Sequence, residues 1–557
     1  MGKFRFSFKN CLVCGLAFLI FSGIFGWWNF FVEVPLEIRP ETTILTRPLT
    51  ADGKYVDYAA YVRSQYPTGM KTEKNAVRGL VLLLGDLNEG IRDAKLRAFL
   101  RKQLFEGLGL EAEPKAGFEA EWKPKFALIH VRNRCGDEKL DPTAPEVPAW
   151  VEANSPALDA VVEVVKKAEI CRFPLILWEE GAPLCWSVQG PQETVWLVAN
   201  DLIFRANWRL SQGDAAGAVS DVTACRKLGK MMRKNRQSLQ EFEWGIRIEE
   251  ASFQVPFASS PTPLTAEQWQ TLSDSLPTES CRSDCRALLE NYELFALLDL
   301  IQHDFLRKEK AEIDWLPLLN SRLGKDWNAV FRRLQVHWGK EIDFWLNHDV
   351  PMIAAWEIPY RTLPRSFWQA TRSQRSDYAA KTILAQAGCV LEHGIAMQTH
   401  RHDTRRRLSR IGCALELYRL DHDGQLPPAF TADAGGQPLQ TWRVLLLPYL
   451  GEEELFRQIR LEEPWNSEWN SQFHARMPEV FANDRSFRQQ TETEPGWQPG
   501  DTTLSFTADE SVLVTENSTA GNWMDPGVAF TQNDPLELGF VFLKTDGTVG
   551  VTPPPQD

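Results

Sequence analysis

Residues 405–430 read RRRLSRIGCALELYRLDHDGQLPPAF, and residues 441–465 read TWRVLLLPYLGEEELFRQIRLEEPW. Leu408, Ile411, Leu415 and Tyr418 recur at helical spacing, which predicts an amphipathic helix with one apolar face. Arg406 and Arg410 fall on the opposite side of that helix and are expected to face water. The Asp423-Gly424 pair and two prolines end the helix, and a dense apolar and aromatic block follows. An apolar helical face needs a surface to lie on, so the block that follows it, with Trp442, Leu446 and Tyr449, is expected to share its core.

Downstream of Asp421 the pattern changes from helical periodicity to short strands. DHDG, ADAGGQP and NDRS are turn chemistry, residues 511–515 are β-rich, and residues 540–551 (FVFLKTDGTVGV) predict a hairpin around Asp546-Gly547. Upstream, helices dominate. Residues 57–66, 75–105 and 152–170 carry helical periodicity, and Thr265 with Gln268 forms a capping-box pattern. Between residues 193 and 236 Val195, Leu202, Ala206 and Leu210 line one helix, and Ala215, Ala218, Val222 and Cys225 line the next. Gly213 supplies a left-handed stop between them and Asp214 an N-cap, so this stretch predicts a helical hairpin of tetratricopeptide type. A second copy at that period is absent, and an ordinary helical hairpin reads equally well.

The N-terminus predicts a membrane anchor. Cys11 to Val32 (CLVCGLAFLIFSGIFGWWNFFV) carries no charge and is long enough to cross a hydrocarbon layer of about 30 Å as a helix. Lys3, Arg5 and Lys9 precede it and Glu33 and Glu37 follow, which keeps residues 1–10 as a cytoplasmic tip and sends the remainder across the inner membrane. Trp27 and Trp28 suit the interfacial belt. The apolar run is long for a cleaved signal peptide and no small-residue cleavage site closes it.

The resulting expectation is an α+β chain with an N-terminal transmembrane helix at 11–32, a spacer at 33–50, a mainly α-helical extracytoplasmic domain at 51–370 and an α+β domain at 371–557. The net charge of -13 argues against a nucleic-acid partner, because phosphate binding needs clustered Lys and Arg. The 21 Trp residues read as packing anchors rather than as a ligand platform.

Chemistry-bearing motifs are sparse. No phosphate-binding loop, dinucleotide fingerprint, serine elbow or zinc-protease helix occurs, and no catalytic, cofactor or metal residue is assigned. Cys171 and Cys185 bracket a segment that a disulfide would close, although pairing does not follow from sequence. Cys281 and Cys285 read as half-buried helix residues rather than as a redox pair, and His393, His400 and His402 as solvated side chains rather than a metal set. Glu510, Glu516 and Asp525 near Trp523 read as turn and capping carboxylates rather than a glycosidase pair. Asp421 and Asp423 lack the further ligands of a calcium loop.

The ordered series LELYRLDHDGQLPPAF, DAGGQPLQTWRVLLLPYLGEEELF, LEEPWNSEWN, MPEVF, TENSTAGNW and TDGTVGV, over the last quarter to third of the chain, resembles a bacterial prepilin-type domain family of unknown function. Its fold is similar to that of the type II secretion pseudopilins. The DYAAYV, KNAV, PEVPAWVEAN and SQGDAAGA segments look like those of large membrane-anchored bacterial proteins. The resemblance implies a helix and an antiparallel sheet around one core, and a non-enzymatic envelope protein that binds a protein partner or serves a secretion-related assembly. The alternative is an extracytoplasmic hydrolase with its site in the helical domain. The anchor lacks the Gly-Phe processing site and following Glu of prepilins, and some 350 residues separate it from the C-terminal helix, so assembly into pilus-like filaments is not expected.

Overall fold

The computed structural model describes residues 32–65, 70–85, 87, 93–111, 145, 147–179, 181–187, 190–234, 238–303, 325–347, 372–390, 394–482, 498–507, 511–531 and 541–551. Residues 1–10 and residues 11–31 of the expected anchor lie outside them. Among the described residues no helix is long and apolar enough to cross a membrane.

In chain order the longer helices are α1 (Tyr58–Gln65), α2 (Ala76–Leu84), α3 (Ala94–Leu108), α4 (Val147–Lys167), α5 (Gly190–Ser211), α6 (Ala215–Arg233), α7 (Leu239–Ala251), α8 (Ala266–Asp274), α9 (Arg282–Leu288), α10 (Leu294–Ile301), α11 (Trp327–Asn347), α12 (Arg372–Val390), α13 (Gly394–Asp421) and α14 (Glu453–Gln458). Among the described residues every strand follows α13. A two-stranded ribbon pairs β1 (Phe430–Ala432) with β2 (Pro438–Thr441). The larger sheet is built from β3 (Asp501–Thr507), β4 (Val512–Asn522), β5 (Phe530–Thr531), β6 (Val541–Lys544) and β7 (Val549–Val551), in the order β5-β3-β4-β6-β7. All its pairs are antiparallel except β3 with β5. The final hairpin turns through Asp546-Gly547 as its sequence predicts.

The chain divides into two compact units that do not follow the linear split at residue 370. The first consists of Met1–Ser64, Gly181–Trp186 and Leu289–Gly394. In it the expected spacer is tied down by hydrogen bonds. Glu37 N–H donates to Asn328 Oδ1 at 2.7 Å, Gln335 Nε2 donates to the Thr42 carbonyl at 2.6 Å, and Thr42 and Thr43 are buried. A proline-rich composition sets the extended backbone, but it says nothing about what the backbone bonds to. Helices α11 and α12 lie side by side, and Trp338 is buried with its indole N–H on the Leu289 carbonyl at 2.8 Å.

The second unit consists of Gln65–Glu180, Ser187–Leu288 and Ile395–Asp557. Helix α6 is its helical centre, with α4, α5, α7 and α8 against it. The hairpin of α5 and α6 turns where expected: Gly213 has φ +79, and the Asp214 carboxylate accepts from Gly217 N–H at 2.9 Å. It is not isolated, because α7 packs on both of its helices. A Cβ placed on Gly245 would come within 2.6 Å of the Arg233 backbone nitrogen, so only glycine allows α7 to approach α6 this closely.

Helix α13 is the element this unit is built around. Its predicted face, Leu408, Ile411, Leu415 and Tyr418, enters a core with Trp442, Leu446, Phe481, Leu504, Val514, Trp523 and Leu543. Its other flank is also covered: Cys413 and Leu417 belong to the core formed by the earlier helices. Arg406, expected at the surface, is only 1% exposed for the same reason. The helix ends at Asp423 and Gly424, both at positive φ, where Gly424 N–H donates to the Arg419 carbonyl at 2.9 Å.

Trp442 is fully buried, stacked on Phe506 with ring centres 4.5 Å apart, and its indole N–H donates to the Ala529 carbonyl at 3.1 Å. Tyr449, grouped with it from sequence, is only half buried. Trp442→Ala is expected to lower stability by about 3 to 5 kcal/mol, as for other buried aromatic truncations. Thermal unfolding of the variant checks this, and an unchanged midpoint would remove Trp442 from the core.

Candidate functional site: a cationic cleft over helix α6

Five polar positions in the third and fourth turns of α13, His402, Asp403, Arg405, Arg406 and Arg407, are engaged with residues far away in sequence. Glu249 of α7 receives His402 Nε2 at 2.9 Å on one oxygen and Arg233 Nε at 3.1 Å on the other. Arg233 continues to Asp284 at 2.6 Å. Asp403 accepts from the Ser280 hydroxyl and from Cys281 N–H, the latter at 3.2 Å. Arg406 reaches the Pro277 carbonyl, Arg407 reaches Glu479 at 2.6 Å, and Arg405 reaches Glu250 at 2.9 Å. Burial alone would raise the Glu249 carboxyl, but Arg233 and His402 overcome it and hold the group at about 2. Asp403 is likewise held below the usual range, burial being outweighed by Arg407 and Arg406. Around Glu249 and Asp403 these are charges neutralised within the core, and the outer members, Arg405, Glu250 and Glu479, are partly exposed.

His402 is therefore 0% exposed, which corrects the reading of a solvated histidine. Its sequence neighbours are polar, and the acid that draws it inward lies 153 residues away. His393 and the side chain of His400 lie outside the described residues. Cys281 and Cys285 are buried and not joined in a disulfide, and burial pushes the Cys281 thiol far up. Cys171 and Cys185 are not joined in a disulfide either, Cys171 being buried and Cys185 exposed. Glu516 is a buried strand residue accepting from Val541 N–H at 2.9 Å, and Asp525 caps a short turn through Gly527 N–H at 2.8 Å. Glu510 lies outside the described residues. Asp421 is occupied by the Tyr449 hydroxyl at 3.1 Å. Among the described residues no group of three or more His, Cys, Asp and Glu side chains gathers to hold a metal.

The accessible site is elsewhere in the second unit. An open cleft of about 600 Å³ is lined by Glu169, Ile170 and Arg172 on one side, by Thr271, Asp274 and Ser275 on the other, and by α6 between them. The neighbouring helices cover the other sides of α6, leaving Thr223, Lys227, Lys230, Met231 and Lys234 as the cleft's stripe of that helix. Thr223, Lys227, Lys230 and Lys234 follow one another at steps of four, three and four, with Met231 four after Lys227, so they share one side of the helix.

The local bonds of the cleft are specific. Lys227 Nζ donates to the Lys166 carbonyl at 2.7 Å, a cation at the C-terminal end of α4, and burial lowers its ammonium pKa while Glu169 opposes the shift. Lys234 meets Glu279 at 2.8 Å, and Glu169 meets Lys74 at 2.6 Å. The hydroxyls are turned to the backbone: Thr223 donates to Ser220 O, Thr271 to Glu267 O and Ser275 to Leu272 O. Ser275 also accepts from the buried Arg226 at 2.9 Å. Sequence reasoning passed over this site. Lys227, Lys230 and Lys234 were readable as a charged helix edge, but the two walls come from segments some 40 to 60 residues to either side.

A protein-family model with the description SBP_bac_10, Protein of unknown function (DUF1559), matches residues 401–538. The match starts at the docked turns of α13 and runs through the aromatic block and the sheet as far as β5. No curated protein and no solved structure matches the chain.

Proposed function

We propose that this protein is a non-enzymatic, membrane-anchored component of the bacterial cell envelope. Its C-terminal helix and sheet form a pseudopilin-like module, and its extracytoplasmic part binds another protein. The N-terminal topology rests on the uncharged run at 11–32 behind Lys3, Arg5 and Lys9. The module rests on the ordered motifs between Leu415 and Val551.

Binding rather than hydrolysis is supported chiefly by one observation, the bonding inside the cleft. A serine or threonine nucleophile needs a base within hydrogen-bond reach. Here each hydroxyl lining the cleft donates to a backbone carbonyl, and the two wall carboxylates are engaged, Glu169 by Lys74 and Asp274 by Gln270 at 2.8 Å. A hydrolase site would call for carboxylates or histidines converging on a deep pocket, whereas this cleft is open and lined by cations. Pilus-like assembly is disfavoured on separate grounds: it buries an apolar N-terminal helix half in the filament, and here the residues ahead of the amphipathic face, 383–397, carry Gln386, Glu392 and His393.

The test is topological. Protease added to spheroplasts is expected to degrade everything beyond the anchor, and carbonate washing to leave the intact chain in the membrane pellet. Full protection, or release by carbonate, overturns the envelope reading.

A further inference from the structure

We propose that the cleft over α6 is the seat of an acidic peptide segment of a partner protein, held in extended conformation along Lys227, Lys230 and Lys234. This inference rests on the binding role proposed above and names the chemistry of the partner.

The first argument is charge. The chain carries a formal net charge of -13, yet the cleft brings together Arg172, Lys227, Lys230 and Lys234 against Glu169 and Asp274. With the rim residues Lys74 and Glu279 included, five cations stand against three carboxylates. Such a local reversal of sign attracts an anionic segment and repels a cationic one.

The second argument is shape. A compact anion such as free phosphate is held by groups converging on a point, commonly backbone N–H groups at a helix N-terminus. The lysines here are strung along a helix flank about 10 Å long, at intervals of about 5 to 6 Å. Alternate side chains of an extended peptide repeat at about 7 Å, so acidic residues at every second position can follow the row. Ile170 and Met231 lie in the same lining and give apolar contact that suits the intervening peptide side chains better than a sulfated or phosphorylated sugar.

The third argument is that carboxylates already occupy this chemistry. Lys234 holds Glu279 and Lys74 holds Glu169, with side chains that are 40% to 72% exposed. Exposed pairs of this kind contribute little stability, so an incoming carboxylate can replace Glu279 on Lys234 at small cost.

The experiment uses the detergent-solubilised full chain and a fluorescein-labelled octapeptide, (Glu-Ala)4, followed by fluorescence anisotropy. The acidic peptide is expected to bind at least tenfold more tightly than (Lys-Ala)4, and binding is expected to weaken about tenfold between 50 and 500 mM salt. The double variant Lys230→Glu/Lys234→Glu is expected to lose about 30-fold in affinity with unchanged thermal unfolding. The milder Lys230→Gln/Lys234→Gln should lose less, which keeps the test usable if charge reversal perturbs folding. Equal binding of the two peptides, an unaltered affinity in both variants, or tighter binding of a heparin octasaccharide overturns the assignment. Failure of the envelope reading is separable, since it appears as protease protection or carbonate release whatever the peptide does.

Discussion

Glu249→Ala is expected to lower stability by about 4 kcal/mol, the cost typical of removing one partner from a buried ion pair. The carboxylate is 1% exposed and serves Arg233 and His402 together, so its loss strips a bond from two buried groups on α6 and α13. Arg233 keeps Asp284, which limits the damage. The same site fixes a pH dependence. Glu249 is held at about 2 in the folded chain against an ordinary glutamate value of 4.5, so its contribution is complete above that value. It is lost as pH falls from the ordinary value towards 2, because the unfolded chain takes up the proton first. Asp403, also held low, loses its contribution in the same direction. Urea unfolding from pH 7 down to 2 should show stability falling with acid in the native chain and falling less steeply in Glu249→Gln. Equal slopes in the two would show that Glu249 is not the group responsible.

How much of this was legible in the sequence depends on whether partners are near or far. The apolar face of α13, its exit at Asp423-Gly424, the α5–α6 turn and the last hairpin follow from local periodicity and turn chemistry, and each is observed. The polar positions of α13 did not follow. A run such as RHDTRRR looks solvated because charge is visible in a sequence and its neutralisation is not: Glu249, Glu250, Pro277 and Glu479 lie 72 to 155 residues away. Helical periodicity also finds one apolar face and hands the other to solvent, so Cys413 and Leu417 were overlooked as the contact with the earlier helices. The division at residue 370 was drawn from a change of pattern along the chain. The compact units instead gather segments that are distant in sequence, since burial follows contact in space. The cleft was hidden for the same reason: α6 supplies its lysines, but a concavity exists only once Glu169 to Arg172 and Thr271 to Ser275 stand on either side.

Arg443→Leu is expected to cost about 4 kcal/mol, although it replaces a buried charge with an apolar side chain of similar reach. Such exchanges are often neutral when the partner is a side chain that is replaced as well. Here the partners cannot be replaced. The guanidinium is 0% exposed and donates to the backbone carbonyls of Trp523, Leu504 and Val528, joining the turn after β4 to the middle of β3. It also lies 5.0 Å from the centre of the Trp442 ring, which takes part in the core beneath α13. Burial pushes Arg443 down to about 9, with the charge of Asp525 acting against that shift, so the cation is retained at neutral pH by its acceptors. Leucine would take one donor from each of three carbonyls in a closed space, leaving Trp523 O to the Thr441 hydroxyl and Val528 O to the Ser505 hydroxyl, and lost bonds of buried carbonyls are costly. Lysine should not rescue the variant, because one ammonium cannot reproduce the planar fork that spans carbonyls on separate segments. Urea denaturation of both variants decides the point. A lysine variant as stable as the native chain would mean that charge alone is needed at this position, and a leucine variant as stable would mean that the carbonyls do not depend on the guanidinium.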